Sequence, residues 1–322
     1  MAGKSAHKSA FLLAFSVSAV LVLAVLARVW LQDTPLSLKQ HITLALQIPL
    51  VLTAVLVGAV LAVSGATLQV VLRNPLADPG IVGITSGASL VAAVLLLITP
   101  DWAKGYLHYI LPLGCFIGAL TTTFVIYRLA RTLLGSATAV ILSGIAISTL
   151  SGAIIGWLYL FSDAQSLRNL TFWLMGSVYQ ASWPILLVSG PIIVLSLAYQ
   201  IKQAVYFNRL YAGDIAALSS GVQVQRLTEK SLIACAIGVG AAVSIAGAIA
   251  FVGLLVPHVL RLFLGHDNRL LLPISGLCGA SLLLMVVLAS EYTGAITLPV
   301  SMITATLGGP LLVWALLKGQ LR

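Results

Sequence analysis

Charged side chains are scarce in this chain of 322 residues, where Asp, Glu, Lys and Arg together make up 8%. About a quarter of the residues of a soluble domain are charged. Hydrophobic residues make up 60%, and the mean hydropathy is +1.09, so a water-soluble fold is excluded. Several uninterrupted apolar runs approach about 20 residues, which is enough to cross roughly 30 Å of hydrocarbon. The sequence therefore predicts an integral membrane protein that crosses the bilayer several times.

The apolar runs also lack the alternation of polar and apolar residues that is typical of barrel strands, which favours helices. We predict an all-α membrane protein with a single domain over residues 1–322 and a short cytoplasmic tail over residues 1–9. The run over residues 11–27 is longer than a usual signal core and leads into further spans, so we interpret it as a retained first span. About ten transmembrane helices are predicted, at 10–31, 44–71, 81–99, 107–129, 137–160, 184–201, 231–249, 251–264, 270–289 and 301–317.

Acidic residues are rare within the predicted spans. The chain has eight Asp and Glu residues, and all of them fall in predicted loops or at span ends. An ion-coupled secondary transporter, the main alternative from another functional class, usually holds an acid inside the membrane for protons or sodium. The distribution of acids therefore disfavours this alternative.

Sequence motifs for nucleotide hydrolysis or metal binding are also missing. The sequence contains no G-x-x-x-x-G-K-[ST] loop, and Gly3-Lys4-Ser5 lacks the earlier glycine of such a phosphate cradle. The three cysteines, Cys115, Cys235 and Cys278, lie inside apolar runs and are interpreted as small buried hydrophobes. We predict that the chain is not an enzyme and binds no cofactor or metal.

The basic residues are distributed unevenly between the two sides of the predicted bundle. With a cytoplasmic N-terminus, thirteen Lys and Arg residues lie inside and four outside, as the positive-inside rule expects of short loops. We therefore predict that both termini are cytoplasmic, and we interpret the formal charge of +9 as a topology signal rather than a nucleic-acid site. The four outer residues are Arg28, Lys39, Lys104 and Arg168.

A weak internal repeat links the two halves. The segment AVSGA at 62–66 resembles VSIAGA at 243–248, and the two predicted spans cross the membrane in opposite directions. Inverted repeats are common in transporters. Small residues also let helices approach closely, so packing alone is an equal explanation.

The most polar short segment within the apolar part of the chain is RNPLADPG at 73–80, a predicted cytoplasmic loop. Pro75 and Pro79 fix φ and bias Asn74 and Asp78 away from helix, while Gly80 permits a turn. The sequence thus predicts a stiff, tight loop. From these residues alone, an ordinary turn between two helices explains it as well.

Four separated segments, in order along the chain, resemble the FecCD family, the permease subunits of ABC importers for iron complexes and cobalamin. The similarity runs from about residue 44 to residue 317. The segments are RNPLADP at 73–79 with GITSGA at 83–88, FWLMGS at 172–177, GAIAFVGL at 247–254 with Pro257-His258, and TATLGGP at 304–310.

The resemblance implies a permease of the bacterial inner membrane that moves haem or a ferric siderophore into the cytoplasm. It implies a second copy of the chain or a sister permease, two cytoplasmic ATPases that bind ATP-Mg, and a periplasmic binding protein. Asp163-Ala164-Gln165 and the residues at 170–173 are most similar to haem permeases. A cobalamin importer of the same family is the alternative.

The segment AGDIAALSSGV at 212–222 resembles the family's ATPase-coupling helix. Ala216 and Ala217 are strong helix formers, Asp214 favours a helix N-terminus, and Gly221 suits a C-terminal cap. A short helix would expose an apolar pair one turn apart to an ATPase groove. A helix lying on the inner leaflet is the alternative. The predicted coupling residues are Gly213, Asp214, Ile215, Ala216, Ala217, Leu218 and Gly221, and the predicted cytoplasmic signature residues are Arg73, Asn74, Pro75, Asp78 and Pro79.

The predicted outer segment at 161–183 contains Asp163, Arg168, Phe172 and Trp173, which we place at the outer mouth or along the pathway. Its aromatic residues are equally typical of membrane-interface anchors.

Many FecCD members carry outer arginines that pair with the binding protein. Here the corresponding positions are Gln47, Leu50 and Glu291, so the usual electrostatic contact is missing. Lys39, Lys104 and Arg168 are candidates to replace it.

Overall fold

The computed structural model describes residues 2–31, 35–132, 137–292 and 299–317. In these ranges the regular structure is helical, with two short 3₁₀ turns and one π-helical turn. The α-helices are α1 (Ala2–Trp30), α2 (Leu36–Ile42), α3 (Ile48–Val71), α4 (Ile84–Ile98), α5 (Leu107–Thr132), α6 (Ala137–Leu160), α7 (Ala164–Leu174), α8 (Trp183–Lys202), α9 (Ala204–Tyr211), α10 (Asp214–Ser219), α11 (Val224–Ala246), α12 (Val252–Leu264), α13 (Asn268–Tyr292) and α14 (Val300–Leu317).

Each of the ten predicted spans coincides with a helix, so the predicted all-α membrane fold is confirmed. Seven helical segments in the described part of the chain are long and apolar enough to cross a bilayer. The helices α4 and α12 are shorter, with 15 and 13 residues. The predicted burial of Cys115 and Cys235 is also confirmed, whereas Cys278 is partly exposed.

Several span boundaries differ from the prediction, and α1 already begins at Ala2 rather than at residue 10. The second span was predicted to begin at residue 44, but a π-helical turn over Thr43–Gln47 joins α2 directly to α3. The seventh was predicted over 231–249, yet α11 begins at Val224 and ends at Ala246. The first turns of α11 are rich in polar residues, and for this reason a hydropathy window does not detect them.

The helix α3 lies at the centre of the bundle, where it packs against α8, α11, α12 and α13 and is buried along most of its length. Glycines make this close packing feasible. A Cβ atom on Gly58 would lie 2.3 Å from the Gly279 carbonyl oxygen of α13, and one on Gly65 would lie 1.8 Å from the Gly253 carbonyl oxygen of α12. The position of α12 therefore depends on backbone contact with α3.

A break in the helical backbone separates α11 from α12. Gly247 ends α11 with a φ of 68°, and Phe251 precedes α12 with a φ of 70°, which is uncommon for a residue with a side chain. Hydroxyl groups of α14 satisfy the exposed carbonyls of the break, because Ser301 Oγ donates to Ala248 O at 2.9 Å and Thr304 Oγ1 donates to Ala250 O at 2.9 Å. These bonds fix the start of α14 against the α11–α12 break.

Candidate functional site

The predicted coupling segment forms a short exposed helix, α10, as the sequence analysis expected. Gly213 and Gly221 bound it with φ values of 109° and 79°, conformations that favour glycine. Ile215 is 85% exposed and Leu218 is 61% exposed. Because these residues are three apart, they lie on one face of the helix. The helix thus presents an apolar pair at one end of the bundle.

Buried contacts hold α10 in place. Ala217 is fully buried on the face opposite the exposed pair, and its carbonyl accepts a hydrogen bond from the Val222 N–H at 2.9 Å. Arg209 of α9 donates from Nη1 to the Ser220 carbonyl at 3.1 Å. The preceding helix α9 is anchored in turn by the buried side chains of Phe207 and Leu210. The helix α10 is therefore attached to the bundle rather than free in a loop.

An ion pair joins α10 to the loop over residues 73–80, called the signature loop below, since the Arg73 guanidinium donates a hydrogen bond to the Asp214 carboxylate. Both side chains are about half exposed. They line a cavity of about 740 Å³ together with Tyr127, Arg131 and Glu229. The structure thus brings together two segments that are 141 residues apart in the chain.

Reversing the charges of this pair tests its role. We expect Arg73→Asp or Asp214→Arg alone to lower uptake about two- to fivefold, because an exposed ion pair contributes about 0.2–1 kcal/mol. The double reversal should restore most of the activity. Transport assays on the wild type and the three variants form a complete cycle. Additive losses in the double variant would show that the contact has no role in transport.

The signature loop is closed by its own hydrogen bonds. The Asn74 carboxamide accepts from the Leu76 N–H at 2.9 Å, and the Asp78 carboxylate accepts from the Gly80 N–H at 2.8 Å. The predicted tight loop is therefore present. Partial burial raises the pKa of Asp78 to about 6 by desolvation, although hydrogen bonds from the Gly80 and Ile81 N–H groups act in the opposite direction. Asp78 consequently gains a proton more easily in the folded protein than in the unfolded chain.

We expect the substitution Asp78→Asn to change the pH dependence of stability. Because the pKa of Asp78 is higher in the folded state, the ionised carboxylate destabilises the fold, and this cost grows between about pH 4 and pH 6 and is constant above. The Asn variant keeps the acceptor for Gly80 but has no titrating group. Its thermal midpoint should exceed that of the wild type at pH 8 and converge with it near pH 4. An equal difference at both pH values would contradict the raised pKa.

The four segments that carry the FecCD resemblance lie in contact with one another. A Cβ atom on Gly253 would lie 2.7 Å from Asp78 Oδ2 and 3.0 Å from Pro79 Cδ. The Ser177 N–H donates to Ala246 O at 2.8 Å, and the Val300 N–H donates to the Gly176 carbonyl at 3.1 Å. With the Ser301 and Thr304 bonds described above, these contacts form a continuous junction of the signature loop, the end of α7, the α11–α12 break and α14. The segments are recognisable in the sequence, whereas the contacts that join them are not.

At the opposite end of the bundle, Asp163 caps helix α7. Its carboxylate accepts from the Gln165 and Ser166 N–H groups at 2.9 and 3.0 Å, and hydrogen bonds from Ser166 hold its pKa below the usual range. Arg168 is exposed and the Phe172 ring is 53% exposed, whereas Trp173 is only 4% exposed and packs in the core. Of the four predicted mouth residues, Asp163, Arg168 and Phe172 thus reach the surface, and the placement of Trp173 at the mouth is wrong.

Two of the three positions where relatives carry outer arginines are inaccessible here. Gln47 is buried and donates from Nε2 to the Val25 carbonyl at 3.1 Å, and Leu50 is buried as well. Lys39 donates to the Trp30 carbonyl at 3.2 Å and is partly exposed. The side chains of Lys104 and Glu291 lie outside the described residues. In the part of the chain that the structure describes, no three His, Cys, Asp or Glu side chains are placed to hold a metal ion.

Comparison with protein families gives a match to the FecCD transport family over residues 8–318. The vitamin B12 import system permease protein BtuC of Vibrio cholerae is 40% identical to the chain over 288 residues, which cover 88% of this chain and 85% of the relative. The hemin transport system permease protein HmuU of Yersinia pestis is 42% identical over 282 residues, with 86% and 84% covered.

A solved structure is also similar to the chain along nearly its whole length. It is an inward-facing conformation of a metal-chelate type ABC transporter, with a TM-score of 0.83 and 27% identity. The match covers 95% of this chain and 99% of that chain.

Proposed function

The chain belongs to the FecCD transport family, and from this membership we propose that it moves haem or a ferric siderophore across the bacterial inner membrane. The chain is the multi-pass permease subunit of an ABC importer for iron complexes or cobalamin. The chain carries no ATPase domain, and ATP is bound by a partner ATPase. The partners implied are that ATPase and a substrate-binding protein.

The surfaces of α6 and α14 support the proposal that the cargo is haem rather than cobalamin. Large apolar side chains on these two helices are exposed in the single chain, among them Leu142, Ile145, Trp157, Met302 and Leu307. We infer that these faces line the pathway. Such a surface suits the apolar macrocycle of haem better than cobalamin, whose periphery carries many amides that would need hydrogen-bond partners.

Two residues at the outer end of the bundle also suit haem as the cargo. The half-exposed ring of Phe172 offers a stacking face, and the exposed Arg168 lies one turn away on α7. Haem carries two carboxylates at one edge of a flat aromatic ring. An arginine beside an aromatic face is a fitting first contact for such a molecule.

Uptake by reconstituted vesicles tests the cargo. The permease, its ATPase and its binding protein would be incorporated into proteoliposomes and supplied separately with haem, a ferric siderophore and cobalamin. We expect ATP-dependent accumulation of haem or the siderophore to exceed that of cobalamin at least tenfold. Preferential accumulation of cobalamin would overturn the cargo proposal while leaving the family assignment intact.

Arg168 should influence transport more than docking. We expect Arg168→Gln to lower haem uptake several-fold, because a charge-assisted bond to a carboxylate is lost, while the affinity for the binding protein changes by less than about twofold. Asn169→Ala, which replaces the exposed neutral neighbour of Arg168 on α7, serves as the control. Equal losses of uptake and of binding-protein affinity would favour a docking role for Arg168.

We place the end of the bundle that carries α10 in the cytoplasm, with both termini on that side. The support is the uneven distribution of basic residues, because Arg73, Arg209 and Arg269 lie in loops or helix ends at the α10 end. In this orientation Ile215 and Leu218 face the compartment where ATP is hydrolysed. A second copy of the chain or a sister permease would complete the pathway.

The contacts described above connect α10 to the proposed pathway and so provide a route for coupling ATP hydrolysis to transport. Movement of α10 by the ATPase would act on Arg73 through Asp214 and displace the signature loop. Asp78 and Pro79 of that loop contact Gly253 at the start of α12, and the α11–α12 break is bonded to Ser301 and Thr304 of α14. Because α14 is a proposed pathway wall, such a displacement would shift the balance between outward-open and inward-open states.

A further inference from the structure

A groove runs along the outer surface of the bundle between α5 and α8. The helix α11 packs against both of these helices and forms the floor of the groove. The volume of the groove is about 670 Å³, within the range of about 300–1,000 Å³ that is typical of ligand sites. Its walls are almost entirely apolar, and they include Phe116 and Leu120 of α5, Leu195 of α8 and Ile233 of α11.

Basic residues cluster at one end of this groove. Lys230 lines the groove directly, and Arg226, one turn earlier on α11, lines the cavity beside α10. On α8, Ile192, Leu195 and Tyr199 line the wall, and their spacing continues to Lys202 at the helix end.

The cations at this end of the groove are exposed and available. Lys202, Arg226 and Lys230 are all exposed. None of the three forms an ion pair with another described residue. The neighbouring acid, Glu229, is adjacent to Tyr127 and Arg131 on the side of α11 that faces the cavity beside α10. The groove is therefore apolar over its length and positively charged at one end.

We propose that this groove binds one anionic phospholipid of the inner leaflet, with an acyl chain in the groove and the phosphate beside Lys202, Arg226 and Lys230. Basic pockets between membrane helices on the cytoplasmic side are typical sites for anionic headgroups. The leaflet depends on the orientation proposed above, whereas the binding itself does not. A protein helix is a poorer occupant, because the three cations would need matching acids within the membrane interface, where acids are costly.

The experiment measures lipid retention by the full-length chain purified in mild detergent. After delipidation, the chain is titrated with phosphatidylglycerol or phosphatidylethanolamine, and bound lipid is counted by native mass spectrometry. We expect one phosphatidylglycerol per chain to bind more tightly than phosphatidylethanolamine. Lys230→Gln and Lys202→Gln should each weaken binding about fivefold, as expected for loss of one basic residue near an anionic headgroup. The matched control is Arg128→Gln, which removes a basic residue near the end of α5 that does not line the groove.

A second variant tests the apolar part of the site without changing charge. Ile233→Trp fills the groove and should displace the lipid, whereas Val194→Trp, an exposed position on α8 outside the groove, should not. Equal binding of the two lipids, or equal effects of Lys230→Gln and Arg128→Gln, would overturn the proposal. Dissociation of an oligomer by Ile233→Trp would also overturn the proposal, because it would show that another protein chain occupies the groove.

Discussion

Replacement of both Ile215 and Leu218 by aspartate is expected to abolish ATP-driven uptake while the chain remains inserted in the membrane. Both side chains are exposed and lie on one face of α10, so the change does not disturb the core of the bundle. Apolar anchors at the centre of an interface each contribute about 2 kcal/mol or more. Loss of two such anchors should weaken ATPase docking on the order of 100-fold or more.

The control for this variant keeps the apolar character of the pair. Ile215→Leu with Leu218→Met should retain most uptake, because hydrophobic exchanges of similar volume are well tolerated. Measurements of membrane insertion, ATPase co-purification and uptake separate docking from folding. If the aspartate variant transported at the wild-type rate, α10 would not be the coupling helix, and a helix lying on the membrane surface would explain it better.

The second large effect is expected for Gly65→Ala in α3. The new Cβ atom would lie 1.8 Å from the Gly253 carbonyl oxygen, a distance that no side-chain rearrangement relieves. The backbones of α3 and α12 must separate, and overpacking of a core costs about 1–3 kcal/mol even where side chains can adjust. We expect a loss of about 3 kcal/mol or more, visible as a lower thermal midpoint and less protein in the membrane.

Gly190→Ala in α8 is the matched control for this prediction. At that position a Cβ atom would meet only Leu56 Cδ1 at 3.5 Å and Leu186 Cδ1 at 3.9 Å, which are ordinary contacts. Alanine is also favoured over glycine in a helix by about 0.5–1 kcal/mol. The variant should be as stable as the wild type or slightly more stable. Equal losses in both variants would show that close contact between α3 and α12 is not what limits stability.

The spans were predictable because burial in lipid requires long apolar runs, and each run is a continuous stretch of the sequence. The short helix at 214–219 was predictable for a similar reason, since the glycines at both ends mark its bounds. By contrast, α7 was missed within the predicted outer loop. Its sequence is amphipathic and only moderately apolar, so it carries no hydropathy signal, although Asp163 before Gln165 and Ser166 is a recognisable capping pattern.

Contacts between distant segments were not predictable from one sequence. Nothing local to Arg73 indicates that Asp214 is its partner, and nothing local to Ser301 or Thr304 indicates the carbonyls that they bind. The left-handed conformation of Phe251 was also hidden, because a residue of that type rarely adopts it. Likewise, the burial of Gln47 follows from helix packing that the composition of the segment does not determine.

Crosslinking from α10 is the measurement that tests the account most directly. A photoreactive amino acid would replace Leu218 in the full chain, expressed together with the partner ATPase, and the control position would be Phe161, which is exposed at the opposite end of the bundle. We predict a light-dependent adduct with the ATPase from position 218 and none from position 161. An adduct from 161 alone, or labelling of position 218 only from the periplasmic side, would contradict the proposed coupling and orientation.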